Sequence, residues 1–241
     1  MAIQDDKREN EIIALLRLQK GTTRSGVDAF YRFEENGQEY SAEIELKSTT
    51  NETVSTARDV GMDHIQKWRR RIWIIGYYNA SGDTLLSLLA LSSQDMDSWI
   101  SSIENYIRPD FTIGQRAASK LNLEDLYTVC GKKRNYTIED AQALHKMQWK
   151  KEQYEREKDL KEGYSPRKML EILRLRALYL NQRGSTLNNP HITSGFLSQF
   201  KDREISLQQL EVNEELNKFM DFIKDSWLAI INPEKHSRPL Q

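Results

Sequence analysis

The chain has 241 residues, 38% of them hydrophobic and 29% charged, enough to bury a core while keeping a well-solvated surface, in one large domain or a catalytic domain with a smaller one appended. No apolar run reaches the ~18 residues a membrane span requires, and the first ten residues mix acids and bases, unlike a signal peptide. A lone Cys130 can form neither an internal disulfide nor a thiolate metal cage, so a cytoplasmic protein without a membrane partner is expected. The net charge of −1 argues by itself against a polyanion, but it is unevenly spread. Residues 131–187 hold 14 Lys and Arg against 8 Asp and Glu, a basic segment that suits nucleic acid or is simply a solvated helical surface.

Taken in chain order, residues 6–20 read as a helix, with Ile12, Ile13, Leu15 and Leu16 as its apolar stripe. A glycine-flanked loop at 21–26 leads to alternating strands at 27–34 and 38–47, joined through Asn36-Gly37. Residues 53–70 are predicted helical from the recurrence of Val60, His64 and Trp68. Residues 71–78 form a strand apolar on both faces, hence central, and 84–91 a second buried strand. Ser93 caps a helix predicted to run to about 107. Beyond it the chain reads as almost wholly helical: 137–162 starting on Thr137, 166–184 starting on Ser165-Pro166, and an amphipathic helix over 206–231. The expected fold class is α/β in the α+β sense, a mixed central sheet flanked by helices. Its expected domains are a catalytic core at 1–130 and a helical region at 131–241 for DNA recognition or dimerisation.

The chemistry is placed by the hairpin. Asn36-Gly37 favours a two-residue type I′ turn, and with that turn every opposed pair of residues sums to 73. Phe33 then faces Tyr40, Tyr31 faces Ala42, Ala29 faces Ile44 and Val27 faces Leu46, all on one apolar face. The other face carries Arg32 opposite Ser41, Phe30 opposite Glu43, and Asp28 opposite Glu45, with Lys47 two residues beyond. A register chosen only to bury apolar residues thus sets two carboxylates ~5 Å apart with an ammonium beside them. Two like charges so close attract a cation, and their oxygens suit Mg²⁺ completed by water and a substrate phosphate. Lys47 can orient the attacking water or stabilise charge on the phosphate.

Asp28 followed by Glu45-Leu46-Lys47, in the order helix, hairpin, helix, strand, resembles the PD-(D/E)xK nuclease superfamily, and most of all its type II restriction endonucleases. The resemblance spans roughly residues 6–107, and no proline precedes Asp28. It implies a restriction-endonuclease-like core, catalytic Asp28, Glu45 and Lys47, and Mg²⁺ held by Asp28 and Glu45. It also implies an acid on the first helix, Glu9 or Glu11, and a flanking helix on which His64 or Gln66 positions water or phosphate. Glu43 is an auxiliary candidate, expected to pair with Arg32.

DNA contacts are expected from Arg24 and Ser25, from Ser48 and Thr49 after the lysine, and from Arg58. In the basic region Lys168 and Arg174 suit phosphate, and Gln182, Arg183, Asn188 and Asn189 are side chains that read base edges. The function so implied is Mg²⁺-dependent, site-specific cleavage of double-stranded DNA, as in a restriction system, by a homodimer matched to a palindromic site. A structure-selective repair or recombination nuclease, or an inactive DNA-binding protein on the same fold, remain the alternatives.

Overall fold

The computed structural model describes residues 2–22, 26–185 and 190–233. By contacts the chain divides into two compact units, Met1–Glu104 with Asn189–Gln241, and Asn105–Asn188. A boundary at 130 was expected. The division falls instead within a helix, and the C-terminal stretch belongs to the first unit.

The first unit is a six-stranded mixed sheet flanked by helices. In chain order it comprises α1 (Ala2–Leu15), β1 (Gln19–Lys20), β2 (Ala29–Glu35), β3 (Gln38–Thr49), β4 (Val54–Ser55), α2 (Met62–Trp68), β5 (Ile72–Tyr78) and β6 (Leu85–Leu91). The start of α3 (Ser93–Lys120) follows. After residue 189 come β7 (His191–Ile192), α8 (Ser194–Leu197), β8 (Ile205–Ser206), α9 (Leu207–Leu210) and α10 (Asn213–Ile231). The large sheet runs β1-β2-β3-β5-β6-β8, with β3 and β5 parallel and its other neighbours antiparallel. β5 is central, as its two-sided apolar sequence requires. A separate ribbon pairs β4 with β7.

The hairpin register is the one that burial dictates. Its ladder runs from Ala29↔Ile44 to Glu35↔Gln38, and Asn36 and Gly37 both take positive φ (54° and 75°) as a type I′ turn demands. Ala29, Ala42, Ile44 and Leu46 join Ile72, Ile74, Leu88 and Ala90 on one sheet face, covered by Ile12, Ile13 and Leu16 of α1 and Phe219, Ile223 and Trp227 of α10. Phe33 stacks on Tyr40 at 5.4 Å at the rim of that core. Packing of α1 depends on Gly76 in β5: a Cβ there would lie 2.7 Å from Ile12 Cδ1. The opposite face of the sheet is closed by tryptophan, Trp73 of β5 meeting Trp68 of α2 and Trp99 of α3 with ring centroids 5.4–5.8 Å apart.

Five boundaries differ from expectation, each for a physical reason. The helix expected over 206–231 is divided into α9 and α10, because Val212 takes extended backbone between them. The first helix stops at Leu15 because Arg17 turns left-handed (φ 54°) and Leu18 N–H bonds back to Ile13 O at 2.9 Å, freeing Gln19 and Lys20 to form the edge strand. Residues 53–70 hold only the short α2, since Val54 is drawn into the β4–β7 ribbon. The helix from Ser93 continues through Pro109 to Lys120, a proline it absorbs at the loss of one hydrogen bond. The long helix predicted over 137–162 is instead α5 (Ile138–His145) and α6 (Lys151–Arg156), interrupted where Lys146 and Met147 both take positive φ.

The second unit consists of the rest of α3, α4 (Leu123–Cys130), α5, α6 and α7 (Pro166–Ser185). Its core is Leu126, Tyr136, Ala141, Tyr154, Tyr164, Met169, Ile172 and Leu173. Tyr164 donates to Tyr154 O at 2.6 Å, Tyr136 donates to Gly131 O at 2.7 Å and the Tyr154 hydroxyl lies 3.3 Å from His145 Nδ1, so each of these buried phenols has a partner. Bringing Tyr154 into that core is what breaks the long polar helix: tertiary packing overrides local propensity. No helix among the described residues is long and apolar enough to cross a membrane.

Candidate functional site

Asp28 lies one residue before the β2 ladder begins, and its carboxylate does what a backbone carbonyl would have done there: Oδ2 accepts from Leu46 N–H at 2.9 Å. That bond ties the start of the hairpin's first strand to the last third of the second. Lys47 projects into the same space. Its Nζ lies 2.7 Å from Glu45 Oε1 and 3.5 Å from Asp28 Oδ2, and donates to Leu46 O at 2.8 Å. The three residues that the register was expected to unite therefore meet around one ammonium. Its charge also sits 5.9 Å from the centre of the Trp73 ring.

A fourth group completes the cluster and was not foreseen. Arg71, the residue before β5, is only 5% exposed. Its Nη1 donates to Glu45 Oε2, its Nη2 donates to Gly26 O at 2.9 Å, and its Nε lies 3.8 Å from Glu43 Oε2. Each Glu45 oxygen is thus held by a different cation, Oε1 by Lys47 and Oε2 by Arg71. Glu43 was expected to pair with Arg32; it faces Arg71 instead, because Arg71 emerges beneath the hairpin where β5 pairs with β3. The signal available in the sequence was an arginine at the mouth of an otherwise apolar central strand.

These contacts set the charges. Burial pushes the Asp28 carboxyl up, Lys47 pulls it down and Glu45 pushes it up again, leaving it above the usual range. Glu45 is also buried, but Lys47 and Arg71 outweigh that burial and hold it below the usual range. Burial disfavours the Lys47 ammonium, yet Glu45 and Asp28 more than compensate and keep it a firm cation.

A cavity of about 260 Å³ opens beside this cluster, lined by Glu9, Ile12, Asp28, Leu46, Lys47, Ser48, Ser55 and Thr56. Of the two acids on the first helix it is Glu9 that faces the cavity, its carboxyl raised by burial and by nearby Asp28. Glu11 turns away and accepts from the Tyr78 hydroxyl at 3.1 Å. Ser55 and Thr56 form the far wall, where Ser55 Oγ lies 3.2 Å from His191 Nδ1 and Thr56 donates to Pro190 O at 2.7 Å. The β4–β7 ribbon supplies that wall, and helix periodicity in the sequence concealed it.

Among the described residues no group of three or more His, Cys, Asp and Glu side chains is arranged to hold a metal ion. What is present is an all-oxygen pair, Asp28 and Glu45, with an ammonium drawn between them. Lys47 Nζ stands within 3.5 Å of both carboxylates, and a small cation would be drawn to the same two groups. Donors of this type fit a hard divalent ion such as Mg²⁺, with Glu9 as a further acid across the cavity.

The other candidates divide. Ser48 lines the cavity. Thr49 is buried, its hydroxyl donating to Thr53 O at 2.7 Å to close the loop after β3. His64 accepts from Gly61 N–H at 3.1 Å at the start of α2, while Gln66 and Arg58 are exposed; the cavity wall includes none of the three. In the second unit Lys168 pairs with Glu157 and Glu171 at 3.0 and 3.1 Å. Arg174 donates twice, at 3.1 and 2.7 Å, to the carbonyl of Leu121 just beyond α3. Arg183 is exposed, with Nη1 on the Tyr179 hydroxyl at 3.1 Å, and Gln182 is half-buried. Arg24, Ser25, Asn188 and Asn189 lie outside the described residues. A scan against protein-family models and a search of curated proteins return no match.

Proposed function

We propose that this protein is a Mg²⁺-dependent endonuclease that hydrolyses phosphodiester bonds of double-stranded DNA, built on a restriction-endonuclease-like core of the PD-(D/E)xK kind. One observation carries the reading. Asp28, Glu45 and Lys47 converge at the end of a hairpin whose register is fixed by apolar packing on its other face, and the lysine and aspartate open onto a cavity. Burying three ionisable side chains together costs stability that an apolar trio of similar volume would avoid, so their retention points to a use for their charges.

In this mechanism Asp28 and Glu45 are the groups that would hold Mg²⁺, which when bound supplies Lewis-acid activation of a phosphoryl oxygen and of water. Glu45 contributes through Oε1, because Oε2 belongs to Arg71. Lys47, beside the two carboxylates and on the cavity wall, would turn its charge toward the scissile phosphate and stabilise the negative charge that develops there. The hydroxyls of Ser48, Ser55 and Thr56 orient the DNA backbone along the cavity. Cleavage of both strands follows from two copies about a two-fold axis, the arrangement in a restriction system. Digesting mixed-sequence plasmid with and without Mg²⁺, then sequencing the ends, tests the reading. Ends sharing one short sequence, produced only with Mg²⁺, are the expected outcome. Intact plasmid under all divalent-metal conditions would sink it.

A further inference from the structure

The buried charges at this site are balanced before any metal arrives. Asp28 and Glu45 face Lys47 and Arg71, two negative charges against two positive. Glu9 adds one further acid across the cavity, and Glu43 stands half exposed behind Arg71. Lys47 sits on a flexible stem and can move aside. Arg71 cannot: it is buried, spans Glu45 and the Gly26 carbonyl, and is anchored at the start of the central strand. It is also imperfectly satisfied, since its Nε is buried without a hydrogen-bond partner among the described residues. A guanidinium kept only for architecture would be expected to use all its donors or to be replaced by an apolar side chain.

We propose that Arg71 is a positioning residue that makes metal loading depend on DNA. Resting on the nuclease reading above, this assigns Arg71 two effects through Glu45. It fixes Oε2, so that only Oε1 turns toward the site. It also cancels one of the negative charges that a divalent ion would meet, so the free protein binds Mg²⁺ weakly. The phosphodiester brings the missing negative charge, and ion and DNA then bind cooperatively, each raising the other's affinity by the same factor. Through its bond to Gly26 O, Arg71 also holds the approach to Asp28, keeping the two carboxylates in step.

Calorimetric titration of Mn²⁺ into the DNA-free protein tests this, beside Mg²⁺-dependent plasmid cleavage and thermal unfolding of the same samples. Arg71→Met should bind Mn²⁺ at least about tenfold more tightly than wild type yet cleave at least about tenfold more slowly at saturating Mg²⁺, because charge is freed while Glu45 loses its orientation. Arg71→Lys keeps the charge but cannot span both partners; it should retain weak Mn²⁺ binding and still cleave more slowly. A merely structural arginine would weaken binding and cleavage together, in step with unfolding. A folded Arg71→Met that binds Mn²⁺ no more tightly than wild type overturns the proposal. Should Arg71→Met fail to fold, a folded Arg71→Lys that cleaves like wild type overturns it instead. Wild type that never cuts DNA defeats the nuclease reading and with it the coupling to DNA, whereas the effect of Arg71 on metal affinity is still decided by the DNA-free Mn²⁺ titration.

Discussion

The two units treat buried polarity in opposite ways. At the hairpin end of the first unit, the ionisable side chains of Asp28, Glu45, Lys47 and Arg71 are largely buried and locked onto one another beside a cavity. In the second unit the cations that composition singles out are engaged in holding the unit together. Lys168 bridges two glutamates and Arg174 caps the end of α3, while the core is built of neutral tyrosines. An excess of Lys and Arg along a sequence therefore does not by itself mark a site. Charges that burial ought to forbid, retained around a cavity, do.

The largest expected effect sits at the centre of the first cluster. Lys47→Ala should lower cleavage by about 10³-fold, as loss of a donor to developing transition-state charge does, with DNA affinity nearly unchanged. Single-turnover cleavage and gel-shift titration measure the two quantities. Cleavage within about tenfold of wild type would place the chemistry elsewhere.

Next is the contact that seats α1, and with it Glu9, over the sheet. Gly76→Val puts methyl groups where Ile12 already lies 2.7 Å from an imagined Cβ, and overpacking of this kind costs about 1–3 kcal/mol. The melting temperature should fall and cleavage should weaken as Glu9 is moved from the cavity. An unaltered melting temperature would mean that α1 does not rest on the sheet at that point.

How much of this was legible follows from where the information is local. The hairpin register could be read because Asn36-Gly37 fixes the turn and the alternation of Tyr31, Phe33, Ala42 and Ile44 admits only one pairing. That register placed Asp28, Glu45 and Lys47 together. Arg71 could not be read, since its partnership with Glu45 depends on β5 lying parallel to β3, a pairing between strands separated by a helix. The same holds for Ser55 and Thr56: they face the cavity because Val54 pairs with Ile192, which is remote in sequence. Glu9 and Glu11 were indistinguishable until the close approach at Gly76 fixed the rotation of α1. The surroundings of Lys168 could not be read for a related reason, because of its two acidic partners only Glu171 lies on α7 and Glu157 comes from another element.

A smaller effect separates architecture from recognition in the second unit. Arg174→Ala removes two charge-assisted hydrogen bonds from the Leu121 carbonyl on a half-buried side chain, expected to cost about 1–2 kcal/mol. Chemical denaturation should register that loss, while DNA affinity and its salt dependence stay the same. A lower salt slope with unchanged stability would return Arg174 to the phosphate contacts first expected of it.

The smallest effect tests the contrast directly through pH. His145 at the end of α5 is 4% exposed, with Nδ1 3.3 Å from the Tyr154 hydroxyl and its ring against Trp149. Burial and the nearby Arg176 charge hold its imidazole below the ordinary histidine value of 6.5, so the folded unit favours the neutral ring. The sign then follows. Between the folded and unfolded values the unfolded chain binds the extra proton, so stability is complete above about 6.5 and is lost as pH falls through the folded value. At the hairpin, Glu45 titrates below the usual carboxylate range and keeps its charge throughout that interval. Hydrogen exchange, corrected for intrinsic rates, should accordingly show α5 and α6 losing protection between pH 7 and 5 while β3 and β5 hold theirs. His145→Gln should remove most of that acid response, because glutamine presents no titrating ring to Arg176. If the variant loses protection over the same pH range as wild type, the response belongs to another group and the second unit does not depend on a neutral histidine.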